Sequence, residues 1–387
     1  MVNENSTEEN MVVTPWEVRG FVDYDKLIKK FGTKPFDENL QQRLAKFTDG
    51  DLHYMIRRGM VFSHRDFDKL LDHVEKARSS GIEKGEEFAL YTGRGPSGHT
   101  HLGHLVPWQF TKWLQDKFDV DLYFQLTDDE KFLLKPDWTY DQSIGYAYEN
   151  AKDVLAVGFN PEKTHFIIDS EAGIKFRKLA TQISKRINFS TTKAIFGFNE
   201  STNIGMLYHP AMQAAPCFYP SIVKNKKIPV LIPAGIDQDP YWRATRDIAT
   251  KLGFYKPMAL HSEFIPGLEQ GGKMSASKPT TTVFTTEDGK SATKKIKRAF
   301  TGGRTTIAEQ KRLGGEPGKC NVFAWYRSSF EKDDVALKKR WDDCTGGNLM
   351  CGPCKLDLAD RVVVFLDMHQ QTREELSDVV ENCIIRV

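Results

Sequence analysis

His101 and His104 stand three residues apart, directly after a stretch that carries Gly93, Arg94, Gly95, Pro96 and Gly98. Three glycines and a proline leave little side-chain bulk, so a ligand can approach the backbone closely there. A strand precedes this stretch in the reading and a helix running from Leu105 follows it. The unpaired N–H groups and dipole of a helix start favour an anion, and residues three apart share one face of the first turn. Arg94 adds a fixed charge. The pattern is not the dinucleotide fingerprint, because a third glycine is missing at the required place, and it is not a P-loop, because no Gly-Lys-Ser/Thr follows. A second candidate lies far along the chain, where Gly271 and Gly272 precede Lys273, Met274, Ser275, Ala276, Ser277 and Lys278. A glycine-flanked loop with one lysine and two hydroxyls can close over a triphosphate and neutralise charge on a leaving pyrophosphate. Taken singly, the first stretch could be a capped helix start and the second a polar surface loop. Both together, in this order and separated by alternating strands and helices, point to a nucleotide site.

The elements that must hold these groups are read from hydrophobic period. From about Glu86 apolar strands alternate with helices. Strands are predicted up to Tyr91, over Val120–Leu126, His165–Ile168, Ile228–Ile232 and Met258–Leu260. Helices are predicted from Leu105 to about Lys117, then over Tyr140–Val157, Gly173–Ile187 and Tyr241–Leu252, with segments Phe189–Phe198 and Ala211–Val223 and a turn-rich Asn199–Pro210 between the last two helices. This alternation predicts an α/β fold with a doubly wound parallel sheet, which binds ligands beyond the carboxyl ends of its strands. Ahead of it, helices are predicted over Tyr24–Phe31 and Glu38–Phe47, and Ser63 is placed to cap a third over Phe67–Ala77. His64 and Arg65 read as solvated or structural. Beyond about Thr282 the character is helical and basic, with Gly302-Gly303 and Gly314-Gly315 turns and no convincing strand. The expected organisation is a disordered tail over 1–12, an extension over 13–84 packing on the next domain, a sheet domain over 85–282 and a C-terminal α-helical domain over 283–387.

Hydrophobic residues make up 40% and charged residues 27% of the 387, ordinary for a globular protein of two domains. No apolar run reaches the roughly 18 residues of a membrane span, and the polar, acidic start is neither a secretory signal nor a transit peptide. Cytoplasm is the expected compartment. The net charge of +2 is small, but Lys290 to Lys319 holds nine Lys/Arg against two acids. That local excess suggests contact with a polyanion. Six cysteines are too few and too clustered for a disulfide framework. Cys351-Gly352-Pro353-Cys354 matches a thioredoxin-type spacing, with Cys344 seven residues earlier and Cys320 as a conceivable fourth zinc ligand. No strand precedes the motif and no histidine is near, so a reduced surface turn is expected, with zinc or redox chemistry the alternatives.

His101-Leu102-Gly103-His104 and Lys273-Met274-Ser275-Ala276-Ser277 resemble the two signatures of class I aminoacyl-tRNA synthetases, with Ala276 in place of the second lysine. The stretches Tyr91 to Ser97, Gln125 to Lys131, Pro210 to Pro216 and Ile236 to Tyr241 extend the likeness to tryptophanyl-tRNA synthetases of the cytosolic, eukaryotic type. The resemblance covers about Pro15 to Asp378 and includes Pro15-Trp16 and Phe62 to Asp66. It implies a Rossmann-like catalytic domain followed by an anticodon-binding one. Tyr91 and Gln125 would face the indole nitrogen, while Glu130, Gln213 and Gln238 would hold the ammonium. His101, His104, Lys273 and Ser275 would serve catalysis. Arg94 and Gly103 would bind ATP, with the backbone from Gly235 through Ile236 to Asp237 receiving adenine. The chemistry is consistent, because an indole N–H only donates and an ammonium offers three donors to carboxylate and amide oxygens. Also implied are Mg2+ accompanying ATP, tryptophan and tRNA as partners, phosphate contacts at Lys294, Lys295 and Lys297, and a homodimer. No dedicated protein metal site is expected.

Overall fold

The computed structural model describes residues 12–13, 18–19 and 22–386. Most of the expected tail, and Pro15-Trp16, lie outside the described residues. A short hairpin pairs β1 (Val12–Val13) with β2 (Val18–Arg19). The main sheet contains β3 (Lys34–Pro35), β4 (Val61–Arg65), β5 (Ala89–Arg94), β6 (Leu122–Leu126), β7 (Thr164–Ile168), β8 (Val230–Gly235) and β9 (Met258–Ser262). Its order is β3-β4-β9-β8-β5-β6-β7. The five strands from β9 to β7 are mutually parallel, whereas β3 and β4 run antiparallel at one edge.

The parallel part follows from the apolar runs. All five residues of β6 are buried, as expected of a strand covered by helices on both faces. The chain lays down β5, β6 and β7 in one direction and then returns to β8 and β9 on the other side of β5. The crevice at that reversal, between β5 and β8, is where such sheets bind ligands.

The sheet is mixed because the segment before it supplies strands as well as helices. Ser63, expected as a helix cap, lies inside β4, where its Oγ sits 2.8 Å from His261 Nδ1. The helix it was to cap, Phe67–Ser79, has Asp66 as its N-cap, and His64 Nδ1 accepts from the Phe67 N–H at 3.1 Å. Arg65 is structural, as read: its guanidinium reaches Asp239 Oδ2 and the Phe31 carbonyl, each at 2.6 Å. Two helix boundaries also differ from expectation. The helix after the glycines begins at Leu102, not Leu105. Most of the supposed turn over Asn199–Pro210 belongs to the Ile204–Ala214 helix, with Asn203 accepting from the Met206 N–H at 2.9 Å as its cap. Pro210 suggested a break, but neighbouring helices hold its turn in place.

Past Ser262 the described chain forms no further named strand. Its longest helix, Cys351–Glu375, packs on Gly289–Lys297, and one buried apolar cluster runs from Leu40 through the sheet strands to Leu366 and Val380. Polar ties reinforce it. Asp153 on the Tyr140–Ala156 helix receives His369 Nε2 and Arg373 Nη1, both at 2.9 Å. Near its end the chain returns to the sheet: Ile384 bridges Phe166 of β7, the Ile385 N–H donates to the Phe166 carbonyl at 2.9 Å, and Arg386 pairs with Glu171 at 2.6 Å.

Candidate active site

A cleft of about 480 Å³ opens over the β5/β8 reversal. Tyr91, Arg94, His101, Gly103, His104, Gln125, Glu130, Gln213, Gly235, Asp237, Gln238 and Lys273 all line it. The fold explains the convergence: Tyr91 and Arg94 lie on β5, Gln125 on β6, Gly235 at the end of β8, and Glu130 and Gln238 just beyond strand ends. Five other expected residues do not line it. Ile236 is fully buried in a cluster with Val13, Leu27 and Phe31. Ser275 faces Ser277, with their hydroxyls 2.9 Å apart. Lys294, Lys295 and Lys297 lie away on the Gly289–Lys297 helix.

At one end sits a buried polar relay. Tyr91 Oη donates to Gln125 Oε1 at 2.6 Å, and Gln125 Nε2 donates to Asp169 Oδ1 at 2.8 Å. Asp169 shares a side-chain hydrogen bond with Asp129, and Asp129 Oδ1 lies 3.8 Å from His209 Nδ1. Burial and the Asp129 charge push the Asp169 carboxyl well above the usual range, so of the two hydrogen-bonded carboxyls it is the one that holds the shared proton. For Asp129 burial acts in the same upward direction, but His209 outweighs it and the carboxyl stays low. Burial likewise opposes the charge of His209, yet Asp129 and Glu130 raise its pKa above the ordinary value. Asp129, Asp169 and His209 have ligand atoms within 4.8 Å of one another, and two of the three, Asp129 and Asp169, are joined by a hydrogen bond. Trp242 adds an aromatic wall, edge-on to Tyr91 at 5.3 Å.

In the middle of the cleft, Glu130 Oε2 accepts from Thr127 Oγ1 at 2.8 Å and pairs with Lys131 at 2.9 Å. Burial would raise the Glu130 carboxyl; Lys131 and His209 outweigh it, and it remains ionised. Gly95 leaves room for this pair, since a Cβ there would come within 2.0 Å of Lys131 Cε and displace the lysine. Beside Glu130, Gln213 Oε1 is buried without a hydrogen-bond partner.

The histidine end is less cationic than the motif suggested. The His101 and His104 rings stack 3.6 Å apart. Burial, then the nearby Arg94 charge, holds both pKa values well below the usual one, so both are neutral. The His101 N–H points to His104 Nδ1 at 3.3 Å, which leaves the His104 proton on Nε2. Arg94, lowered by burial to about 10 and still charged, braces the glycine loop through Thr100 Oγ1 at 2.6 Å and the His99 carbonyl at 2.9 Å. The helix start is covered in this conformation: the Leu102 N–H meets the Val283 carbonyl at 3.1 Å, and the Gly103 N–H meets Met274 Sδ at 3.2 Å. Lys273 Nζ rests 3.0 Å from Asp237 Oδ2. The lysine loop therefore touches both sides of the nucleotide end.

Sequence reading missed several lining or supporting groups: Asp169, His209, Trp242, Glu263 and Phe264. Asp169 follows directly on β7, so the rule that parallel sheets bind ligands beyond their strand ends could have found it. His209 immediately precedes the quoted Pro210 stretch. Phe264 is braced by an earlier helix, its N–H donating to Tyr24 Oη at 3.0 Å.

Comparison with known proteins agrees with this geometry. The family described as tRNA synthetases class I (W and Y) matches residues 83–367. The Tryptophan--tRNA ligase of Pyrococcus furiosus is 50% identical over 378 residues, covering 97% of this chain and 94% of its own. That of Thermococcus kodakarensis is 50% identical over 375 residues, covering 96% and 94%. Among solved structures, Plasmodium falciparum tryptophanyl-tRNA synthetase superposes with a TM-score of 0.86 at 37% identity, covering 94% of this chain and 97% of that one. A tryptophanyl-tRNA synthetase from Encephalitozoon cuniculi bound to tryptophan gives 0.84 at 35%, covering 95% and 98%. On its sheet, its cleft and its near full-length relatives, the chain belongs to the class I tRNA synthetases, among the tryptophan–tRNA ligases.

Proposed function

We propose that this cleft activates tryptophan with ATP and passes the acyl group to the terminal ribose of tRNA. The observation that carries the amino-acid half is the orphaned Gln213 Oε1 beside the ionised Glu130. An ammonium satisfies both, and places the side chain toward Tyr91, Gln125 and Trp242. Gln238 completes the ammonium set. The tryptophan carboxylate then attacks the α-phosphate of ATP, and pyrophosphate leaves toward Lys273, with no covalent enzyme intermediate. His101 and His104 act as neutral hydrogen-bond donors, Gly235 and Asp237 face the nucleotide, and the Gly103 N–H joins them once the lysine loop withdraws Met274 Sδ from it. The chain supplies alignment and stabilisation of developing phosphate charge. Mg2+ bound to ATP neutralises phosphate charge; Asp237, the carboxylate paired with Lys273, is the protein group suited to face it. The decisive assay is amino-acid-dependent exchange of pyrophosphate into ATP across all twenty amino acids. Exchange driven by tryptophan is expected, and exchange driven by tyrosine instead would overturn the reading.

The region over 283–387 is proposed as the anticodon-binding part, and the enzyme as a cytoplasmic homodimer of the eukaryotic type. The support is the family resemblance, and no described helix is long and apolar enough to cross a membrane. Lys294 and Lys297 are exposed and suited to phosphate contacts. Lys295 is less so, since it bonds the Thr282 carbonyl at 2.9 Å and pairs with Glu287 at 2.7 Å. Lys294→Glu with Lys297→Glu is expected to weaken tRNA binding and lower the salt slope by about one per lost contact, leaving pyrophosphate exchange intact. Wild-type charging by that variant would remove this helix from the tRNA surface.

A further inference from the structure

Between the lysine loop and the C-terminal helices runs a short strap, residues 282–287, that is tied on three sides. At its start Thr282 Oγ1 donates to the Ser275 carbonyl at 2.7 Å, which joins it to the lysine loop. Along its middle it lies against the segment that enters the histidine helix. Thr285 donates to the Thr100 carbonyl from its N–H at 2.9 Å and from its hydroxyl at 3.1 Å, and Phe284 bridges His101. Its third side faces the C-terminal helices. Lys295 Nζ donates to the Thr282 carbonyl at 2.9 Å and pairs with the Glu287 carboxylate at 2.7 Å. Glu287 in turn accepts from the Phe284 N–H at 3.2 Å. Gln370, on the Cys351–Glu375 helix, donates from Nε2 to the carbonyls of Thr285 at 2.8 Å and Glu287 at 3.0 Å.

We propose that Lys295 and Gln370 are positioning residues for adenylate formation, holding the 282–287 strap so that the lysine loop and the histidine helix meet the phosphates in register. This rests on the reading of the cleft as an ATP-dependent activation site. Neither residue lines the cleft, so both act through the strap. Thr100, Thr282 and Thr285 are buried, and a buried backbone group without its partner is costly. The donors on Lys295 and Gln370 therefore fix where the strap rests, and the strap fixes where the histidine helix begins. The other side of that segment is held as well: Asn150 Nδ2 donates to the Gly98 carbonyl at 3.1 Å, and Arg94 to Thr100 Oγ1 at 2.6 Å. Lys295 thus has a task other than the tRNA phosphate contact expected of it.

The test uses the full-length protein without tRNA. Lys295→Met and Gln370→Ala remove donors from half-buried side chains. Each is expected to lower the turnover of pyrophosphate exchange by about 10- to 100-fold, the scale of a misplacement of about 1 Å, with the Michaelis constant for tryptophan unchanged. Turnover is counted per active site from the adenylate burst, so a smaller folded fraction is not read as a slower enzyme. Lys295→Arg keeps the charge and the donors and is expected to restore most of the rate. Amide hydrogen exchange is followed in parallel: protection is expected to fall over 98–104 and 282–287 while β5 and β6 keep theirs. Wild-type turnover in either variant, or slow turnover with full protection over 98–104, would overturn the proposal. A Lys295→Met defect confined to tRNA charging would also overturn it, and would return Lys295 to the tRNA surface. Wild-type protein that exchanges no pyrophosphate would instead refute the reading of the cleft, and amide protection in the two variants would still decide whether these residues hold the strap.

Discussion

Lys273→Ala is expected to slow adenylate formation by about 10²- to 10³-fold, the loss of roughly 3 to 4 kcal/mol of transition-state stabilisation, while ATP binding weakens much less. The expectation rests on which charges at the nucleotide end are free to act. His101 and His104 are neutral, Arg94 braces the Gly98–Thr100 backbone, and Lys131 is paired with Glu130. Lys273 is held by a single carboxylate, Asp237, and is part-exposed on a glycine-flanked loop. It can exchange that partner for a phosphate as charge develops. Pre-steady-state rates at saturating ATP are the check. An unchanged rate with weaker ground-state binding would remove Lys273 from catalysis.

Tyr91→Phe combined with Gln125→Ala is expected to raise the Michaelis constant for tryptophan and to erode discrimination against an isostere lacking the ring N–H, such as a benzothiophene analogue. ATP parameters should change far less. A site built to satisfy one polar group can discriminate by up to about 10⁴ to 10⁵ against ligands that leave it unpaired. The relay sharpens this into a test of Asp169. Because Asp169 keeps its proton, an asparagine can replace it bond for bond: its amide donates to Asp129 and its carbonyl accepts from Gln125. Asp169→Asn should therefore retain most of the discrimination. Asp169→Ala leaves a buried Gln125 donor unpaired, at a cost of about 1–3 kcal/mol, or roughly 5- to 150-fold in kcat/KM for tryptophan. Exchange kinetics with tryptophan and the isostere decide. Equal losses in the two Asp169 variants would show that the residue acts through its charge rather than by orienting Gln125.

Much of this site was legible because strand ends and glycine turns leave a local imprint. The apolar runs marked the strands that carry or precede Tyr91, Gln125 and Glu130, the family resemblance supplied their roles, and the two signatures marked both flanks of the nucleotide end. Less legible were features that depend on pairing across the fold. Nothing local to Val61–Arg65 says that it joins β9 as an antiparallel strand, since the Ser63 to His261 contact spans nearly two hundred residues. The neutrality of His101 and His104 comes from burial, which no motif encodes. Pro210 misled because a proline within a helix is tolerated only where tertiary packing compensates for the lost hydrogen bond.

The return of Ile384 and Ile385 to β7 bears on how the protein stays dispersed. An edge strand with free N–H and carbonyl groups is a template for pairing with another chain. At the opposite edge, β3 is only two residues long and contains Pro35, a poor template. β7 is five residues long and largely buried, so the covering segment and the Arg386 pair with Glu171 act as its guard. Trimming the chain back to Cys383, or forcing a rigid fusion against Arg386, would uncover that strand and make the enzyme prone to edge-to-edge aggregation.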